Sequence, residues 1–278
     1  MKVVRHKSAR EFLDRAGAWL ERAEVENNLV LGIASYFASY LGDPQAHAYF
    51  LTIEDQGAIT GTALMTPPRR LLISAMADDA VIELTDYLLS VSAPVPGVVG
   101  ITSKAERFVN HWTGHTRQTC RVKRTDRLYA CTALLPLPYP PGRLRPATAG
   151  DQTLLSEWCV QFCLDAGIDD EITFFKARLP RKIAEGSLFV WETDTVASMA
   201  GFERERPRGV AISWVFTPSH LRGRGYATSC VAALTQRMFD AGKRFCCLYA
   251  DLANPASNII YRKIGYREIC DVQHWVIE

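Results

Sequence analysis

The residues best equipped for chemistry form the stretch Leu221-Arg222-Gly223-Arg224-Gly225-Tyr226-Ala227. It follows an apolar run, Val210 to Phe216, and precedes a helical pattern. A strand that enters a helix through a Gly-rich, Arg-bearing turn suits a phosphate. The glycines let backbone approach a ligand closely, the first N–H groups of the helix point outward unpaired, and the dipole adds partial positive charge. Arg222 and Arg224 supply full charge and forked donors. The spacing narrows the ligand. Gly223-x-Gly225-x-x-Thr228 lacks the third glycine of a dinucleotide fingerprint, and there is no Gly-Lys-Ser or Gly-Lys-Thr of a Walker A loop. What remains is Arg-x-x-Gly-x-Ala, read Arg222, Gly225 and Ala227. A solvated or RNA-binding Arg-Gly loop would share this composition.

A second stretch discriminates. Ala253-Asn254-Pro255-Ala256-Ser257-Asn258-Ile259-Ile260-Tyr261-Arg262-Lys263-Ile264-Gly265-Tyr266 follows the apolar run Phe245 to Ala250. Asn254 reads as an N-cap, Pro255 as the first helical residue and Gly265 as the stop. With the Arg222-to-Ala227 loop, this order of strand, loop, helix, strand and Asn-to-Tyr helix resembles the GCN5-related N-acetyltransferases. The resemblance spans residues from about 210 to 266.

The resemblance implies acetyl-CoA as cosubstrate and an amine acceptor, expected to be a small molecule. It puts the pyrophosphate on the amides from Gly223 to Thr228, beside Arg222 and Arg224. It implies that the strand leading into the loop splays from its neighbour, so that Val215, Phe216 and Thr217 meet the pantetheine arm. Tyr261 falls where the family has a proton donor for the departing thiolate; a packing Tyr on an amphipathic helix is the competing reading. Asn254 and Asn258 become cofactor contacts, with Asn254 as a bare helix cap the equal alternative. Tyr226 packs against the cofactor or the core. Some relatives carry a Glu on the strand before the loop, but Gly209 to Thr217 contains no carboxylate. The general base is therefore not readable: Glu203 and Glu192 are near in sequence, with a solvated turn charge as the competing reading of each, and a water relay or an already neutral amine serves equally. His220 reads as a surface residue, and Asp169-Asp170-Glu171 as either a solvated run or an attractor for a cationic amine.

These residues need elements to hold them, and the chain divides in a way that supplies them. The run Pro136 to Gly142 is stiff and donor-poor, as suits a linker. It separates residues 1–135 from 143–278. The halves resemble each other: Ala48 to Asp55 lies about 139 residues before Ser187 to Asp194, and each is a strand ending in an acidic turn. A second strand (Ala58 to Leu64, Val196 to Phe202), a Pro/Arg turn and a third strand (Leu71 to Met76, Val210 to Phe216) follow at nearly the same offset. Each half opens on an amphipathic helix, one with the capping box Ser8-x-x-Glu11, the other with Asp151 as the expected cap. The expected fold is therefore α/β with a mixed α+β sheet, as two tandem acyl-CoA N-acyltransferase-like domains. The repeat breaks where chemistry matters. The first half has Asp78-Asp79 where the second has its arginines and glycines, and carboxylates there would satisfy the helix start while repelling phosphate. The helix from Lys104 to Trp112 lacks the Asn-to-Tyr pattern. The first half reads as a copy that has lost cofactor binding, and the catalytic domain as residues 143–278.

Composition excludes other classes. Formal net charge is +2 with basic and acidic residues interleaved, so nucleic acid is not implied. Met1 to Lys7 has no apolar core of a signal peptide, and no apolar stretch reaches the ~20 residues of a membrane span; Leu29 to Leu41 is the richest. The eight cysteines show no Cys-x-x-Cys, and Cys159 and Cys163 have no nearby His, so buried free thiols in a reducing cytoplasm are expected, with no metal. Three functions stay open: an acetyl-CoA-dependent N-acetyltransferase, an acyltransferase with a longer acyl-CoA or an amino-acid acceptor, and a non-catalytic CoA-binding regulator.

Overall fold

The structure, a computed structural model, describes residues 1–40, 47–138, 140–168 and 171–278. Leu41, Tyr139 and the acidic pair Asp169-Asp170 lie outside the described residues. The chain forms two compact units, residues 1–128 with 269–278, and residues 129–268. The repeat boundary read at the proline run is therefore not the boundary of packing: the last ten residues pack with the first unit, and Tyr129 onward with the second.

The first unit holds β1 (Lys2–His6), α1 (Ala9–Leu20), α2 (Asn28–Tyr40), β2 (Tyr49–Asp55), β3 (Ala58–Met65), β4 (Leu71–Ile73), α3 (Asp78–Ser90), β5 (Gly97–Ile101), α4 (Thr102–His115) and most of β6 (Cys120–Cys131). The chain's terminal strand β12 (Arg267–Ile277) completes it, lying between β5 and β6 and pairing antiparallel with β5 from Val272–Ile101 to Val276–Gly97. One sheet face packs Leu51, Ile53, Val98 and Ile73 against α3 and α4. Ser8 caps α1, its Oγ accepting from the Glu11 N–H at 3.1 Å; the Glu11 carboxylate reaches the Lys7 N–H rather than that of Ser8, so the capping box is half formed.

The second unit repeats the plan with β7 (Arg143–Pro146), α5 (Gln152–Asp165), α6 (Ile172–Ala184), β8 (Leu188–Glu192), β9 (Val196–Glu203), β10 (Gly209–Phe216), α7 (Tyr226–Asp240), β11 (Phe245–Asp251) and α8 (Pro255–Ile264). Strands run in the order β7-β8-β9-β10-β11, with the end of β6 beyond β11. Asp151 stands at the N-cap position of α5 but its side chain caps none of that helix's N–H groups; a single 3-10 turn capped by Thr148 precedes the helix, and the Thr148 N–H and hydroxyl both donate to Asp151 Oδ2. One face buries Val210, Ile212 and Leu248 under α7 and α8; the other buries Val190, Met199, Trp214 and Phe216 under α5 and α6.

That division shows a feature the strand pattern hides. Regular alternation would send Val210, Ile212, Trp214 and Phe216 to one face. A β-bulge between Ser213 and Phe216, with Trp214 at φ +57°, turns the strand over. Val215 then joins the α7 side while Trp214 and Phe216 join the α5 side. Six of the eight cysteines are buried, and all eight are free thiols. No helix among the described residues is long and apolar enough to cross a membrane.

Candidate cofactor and active site

Four residues (74–77) join β4 to α3, but nine (217–225) join β10 to α7, so the glycine loop is an insertion belonging to the second copy. Gly223 has φ +77° and Gly225, the N-cap of α7, has φ +84°. A side chain in this left-handed region is strained, which explains glycine at both positions. A Cβ on Gly223 would meet nothing within 4 Å, and on Gly225 only the Pro140 ring at 3.7 Å. No side chain caps α7. The loop is thus open and exposed, and the first N–H groups of a 15-residue helix end on it.

The two arginines differ. Arg222 Nε donates to the Thr217 carbonyl at 2.9 Å, its NH2 pairs with Asp165 at the end of α5, and the guanidinium lies 5.8 Å over the Phe216 ring. It braces the loop. Arg224 is exposed, with one long 3.4 Å bond to the His220 carbonyl. Ser198 on β9 donates to the Phe216 carbonyl at 3.0 Å and meets the Thr217 hydroxyl at 2.9 Å. The carbonyls of Phe216 and Thr217 therefore each have a donor within the protein. Beside them the sheet opens: the parallel pairing of β10 with β11 ends at Ala211–Cys247.

Across the opening, α8 forms as its sequence requires. Asn254 Oδ1 accepts from the Ser257 N–H, Pro255 is the first helical residue and Gly265 ends the helix at φ +115°. Asn258 is buried and spends its amide internally: Nδ2 donates to the Asp251 and Asn254 carbonyls at 2.9 and 2.8 Å, and Oδ1 accepts from the Tyr129 hydroxyl at 2.8 Å. Tyr261 is 7% exposed, its ring 6.0 Å from that of Tyr129. Burial, with the neighbouring Tyr129, pushes the Tyr261 phenol above its ordinary pKa. It stays protonated at neutral pH. Tyr226 and Val215 pack half-buried on this same core.

Tyr129 is a residue that reading by halves overlooks, because it precedes the linker. Its only sequence signal is an aromatic in the apolar end of a strand, which is indistinguishable from core. Glu203 was expected to be a solvated charge; it is largely buried, accepts from Trp214 Nε1 at 2.9 Å and lies within 4 Å of Arg178, Lys182 and Arg204. Burial opposes its charge, but those three cations outweigh burial and hold its carboxyl below the usual range. Glu192 is likewise not a free turn charge, being paired with Arg145 and Arg143 at 2.6 and 2.8 Å. Both carboxylates are engaged by these cations and held below the usual range. His220 is exposed.

In the first copy the corresponding helix start carries a carboxylate. Asp78, in the first turn of α3, pairs with Lys104 in the first turn of α4 at 2.7 Å, and that lysine pulls its pKa down.

Two copies of this strand order within a mixed sheet, with helices packed on it and a glycine loop opening onto a helix beside parting strands, have the fold of the GCN5-related N-acetyltransferases, here in tandem. The family model described as FR47-like protein matches residues 190–276. An acetyltransferase of the GNAT family from Colwellia psychrerythraea aligns over 99% of this chain and 100% of its own, at 13% identity and TM-score 0.59. A GCN5-related N-acetyltransferase from Sphaerobacter thermophilus aligns over 99% and 95%, at 15% identity and TM-score 0.62. A tandem GNAT protein from the clavulanic acid biosynthesis pathway aligns over 100% and 98%, at 9% identity and TM-score 0.56. No curated protein matches the chain in sequence.

Proposed function

We propose that the chain is an N-acetyltransferase that moves the acetyl group of acetyl-CoA directly to an amine, with donor binding and chemistry in the second copy. The observation that carries this reading is the glycine loop at the start of α7, inserted beside the point where β10 and β11 part. The acetyl-CoA thioester supplies the activated acyl group. The loop amides from Gly223 to Thr228 hold the pyrophosphate, with Arg224 as the open cation and Arg222 keeping the loop in shape. Val215, Phe216 and Thr217 flank the pantetheine arm. Tyr261, held protonated by burial, gives its proton to the departing thiolate, and Tyr129 and Asn258 fix the wall on which it stands. Asn254 orders α8. The acceptor arrives as a neutral amine or loses its proton to water, since no carboxylate of β9 or β10 is available as a base. The first copy, with Asp78 and Lys104 paired at its helix start, does not take the donor.

A screen of purified chain with acetyl-CoA against primary amines, aminoglycosides and amino acids, reading CoA release, tests the activity. Acetylation of at least one amine class is the expected result. Donor binding without transfer to any acceptor would make the chain a CoA-binding regulator instead.

A further inference from the structure

Trp214 is a bulky residue in the left-handed backbone region, buried to 2% exposure, at the bulge that turns β10 over. Such a conformation persists only where its surroundings over-determine it, and bulges re-aim a strand next to sites of function. The support here is specific. The indole N–H donates to Glu203 Oε1 at 2.9 Å. Phe175 of α6 packs on the ring at 4.7 Å, and the buried Lys182 ammonium lies 5.7 Å over it. Lys182 also donates to the Phe202 carbonyl on β9. Arg178 and Arg204 complete the cation set around Glu203, each at 3.4 Å. A carboxylate buried among three cations has no reason to move, so the indole it grips is fixed as well.

Fixing the indole fixes the backbone. If Trp214 relaxed to an ordinary strand conformation, alternation would carry it to the α7 face and put Val215 on the α5 face. The stretch from Trp214 to Thr217 would then present the other edge of its peptides to the opening beside β11. We propose that Trp214 is a positioning residue for the acyl end of the donor, and that its hydrogen bond to Glu203 locks the bulge in the orientation that receives the thioester. This rests on the reading of the β10–β11 opening as the acyl-pantetheine site. It also assigns Glu203, at the end of β9, the work of holding the neighbouring strand.

The test uses the full chain and acetyl-CoA carrying ¹³C at the thioester carbonyl, with calorimetry for affinity and isotope-edited infrared difference spectra for the bound carbonyl. In the unaltered protein the bound carbonyl band should be displaced from its position in free acetyl-CoA. Trp214→Phe keeps an aromatic ring but deletes the N–H donor. It should move the band at least halfway back toward the free position while the Kd changes less than threefold. Glu203→Gln keeps an acceptor oxygen for the indole but loses the charge that the three cations grip, and should move the band in the same direction. A core tryptophan with no positioning role would leave the band unmoved, so a folded W214F with the wild-type band overturns the proposal. Should W214F fail to fold by circular dichroism, Phe175→Leu loosens the same ring from α6, and an unshifted band in F175L overturns it equally. Absence of acetyl-CoA binding to the unaltered chain would instead refute the donor site itself, and this inference with it.

Discussion

At the scale of single residues, Tyr261 and the groups around it are where chemistry is proposed. Burial raises the phenol pKa, so Tyr261 carries its proton at rest near neutrality. Tyr261→Phe removes one hydroxyl and keeps the ring in its packing with Tyr129 and Tyr266. The hydroxyl acts as the C–S bond breaks, so the Kd for acetyl-CoA should hardly change. Turnover should fall toward the low end of the roughly 10²–10⁴-fold typical of a lost acid–base group, because a thiolate is already a good leaving group. Unchanged kcat with the best acceptor would leave Tyr261 a packing residue. Some of this residue-scale picture is legible without coordinates. Asn254-Pro255 declares a helix start, because an amide oxygen and a residue without N–H suit that position alone. Tyr129 is not legible, since its partner Asn258 lies 129 positions away. Nor is the burial of Glu203, which depends on cations contributed by α6.

Among the elements, the loop and the first turn of α7 carry the proposed donor site. Arg222→Ala removes the brace between Thr217 and Asp165, and acetyl-CoA affinity should fall by about 1 kcal/mol, the modest worth of a neutral-acceptor hydrogen bond and an exposed ion pair that hold the loop in shape. Circular dichroism should show an intact fold; wild-type affinity in R222A would mean that the loop keeps its shape without this side chain. The entry to α5 gives a pH signature. Arg145 chelates Asp151 at 2.7 and 2.8 Å, and with Thr148 it pulls the carboxyl down to about 2 against burial. A folded pKa below the ordinary 3.8 stabilises the fold above about pH 4, and that contribution is lost as pH falls from about 4 to about 2. Comparing unfolding free energies of the unaltered chain and Asp151→Asn across that window should give a difference that shrinks by about 2 kcal/mol on acidification; a constant difference would mean the pair adds nothing. Elements were also unequally readable. β8, β9 and β11 stand out as apolar runs, and α8 by its caps. The bulge in β10 does not, because Val210 to Phe216 reads equally well as a straight buried strand, and only the packing of Trp214 against α6 requires the turn-over.

For the molecule as a whole, the repeat is visible in the sequence because both copies keep strands at nearly constant spacing. Its packing is not, because no local pattern says which sheet a terminal strand joins. Val272 to Val276 pair with β5 of the first unit although they follow α8 of the second. Deleting residues 269–278 should therefore strip hydrogen-exchange protection from β5, at Gly97–Ile101, while Val210 and Ala211 on β10 keep theirs. Protected β5 amides in that variant would show that β12 is dispensable to the first unit.

The asymmetry between the copies is the centre of the proposal: one has an open glycine loop, the other an Asp78–Lys104 pair at the same place. The most direct measurement is a calorimetric titration of the full chain with acetyl-CoA, beside the variant Gly225→Asp. A Cβ at Gly225 meets only Pro140 at contact distance, and aspartate is among the residues most tolerant of positive φ, so the variant should fold. Its carboxylate would stand at the helix start, as Asp78 does in the first copy. One site per chain in the unaltered protein, abolished in G225D, is the result expected. Two sites per chain, or undiminished binding in a folded G225D, would contradict the assignment of the donor to the second copy's loop.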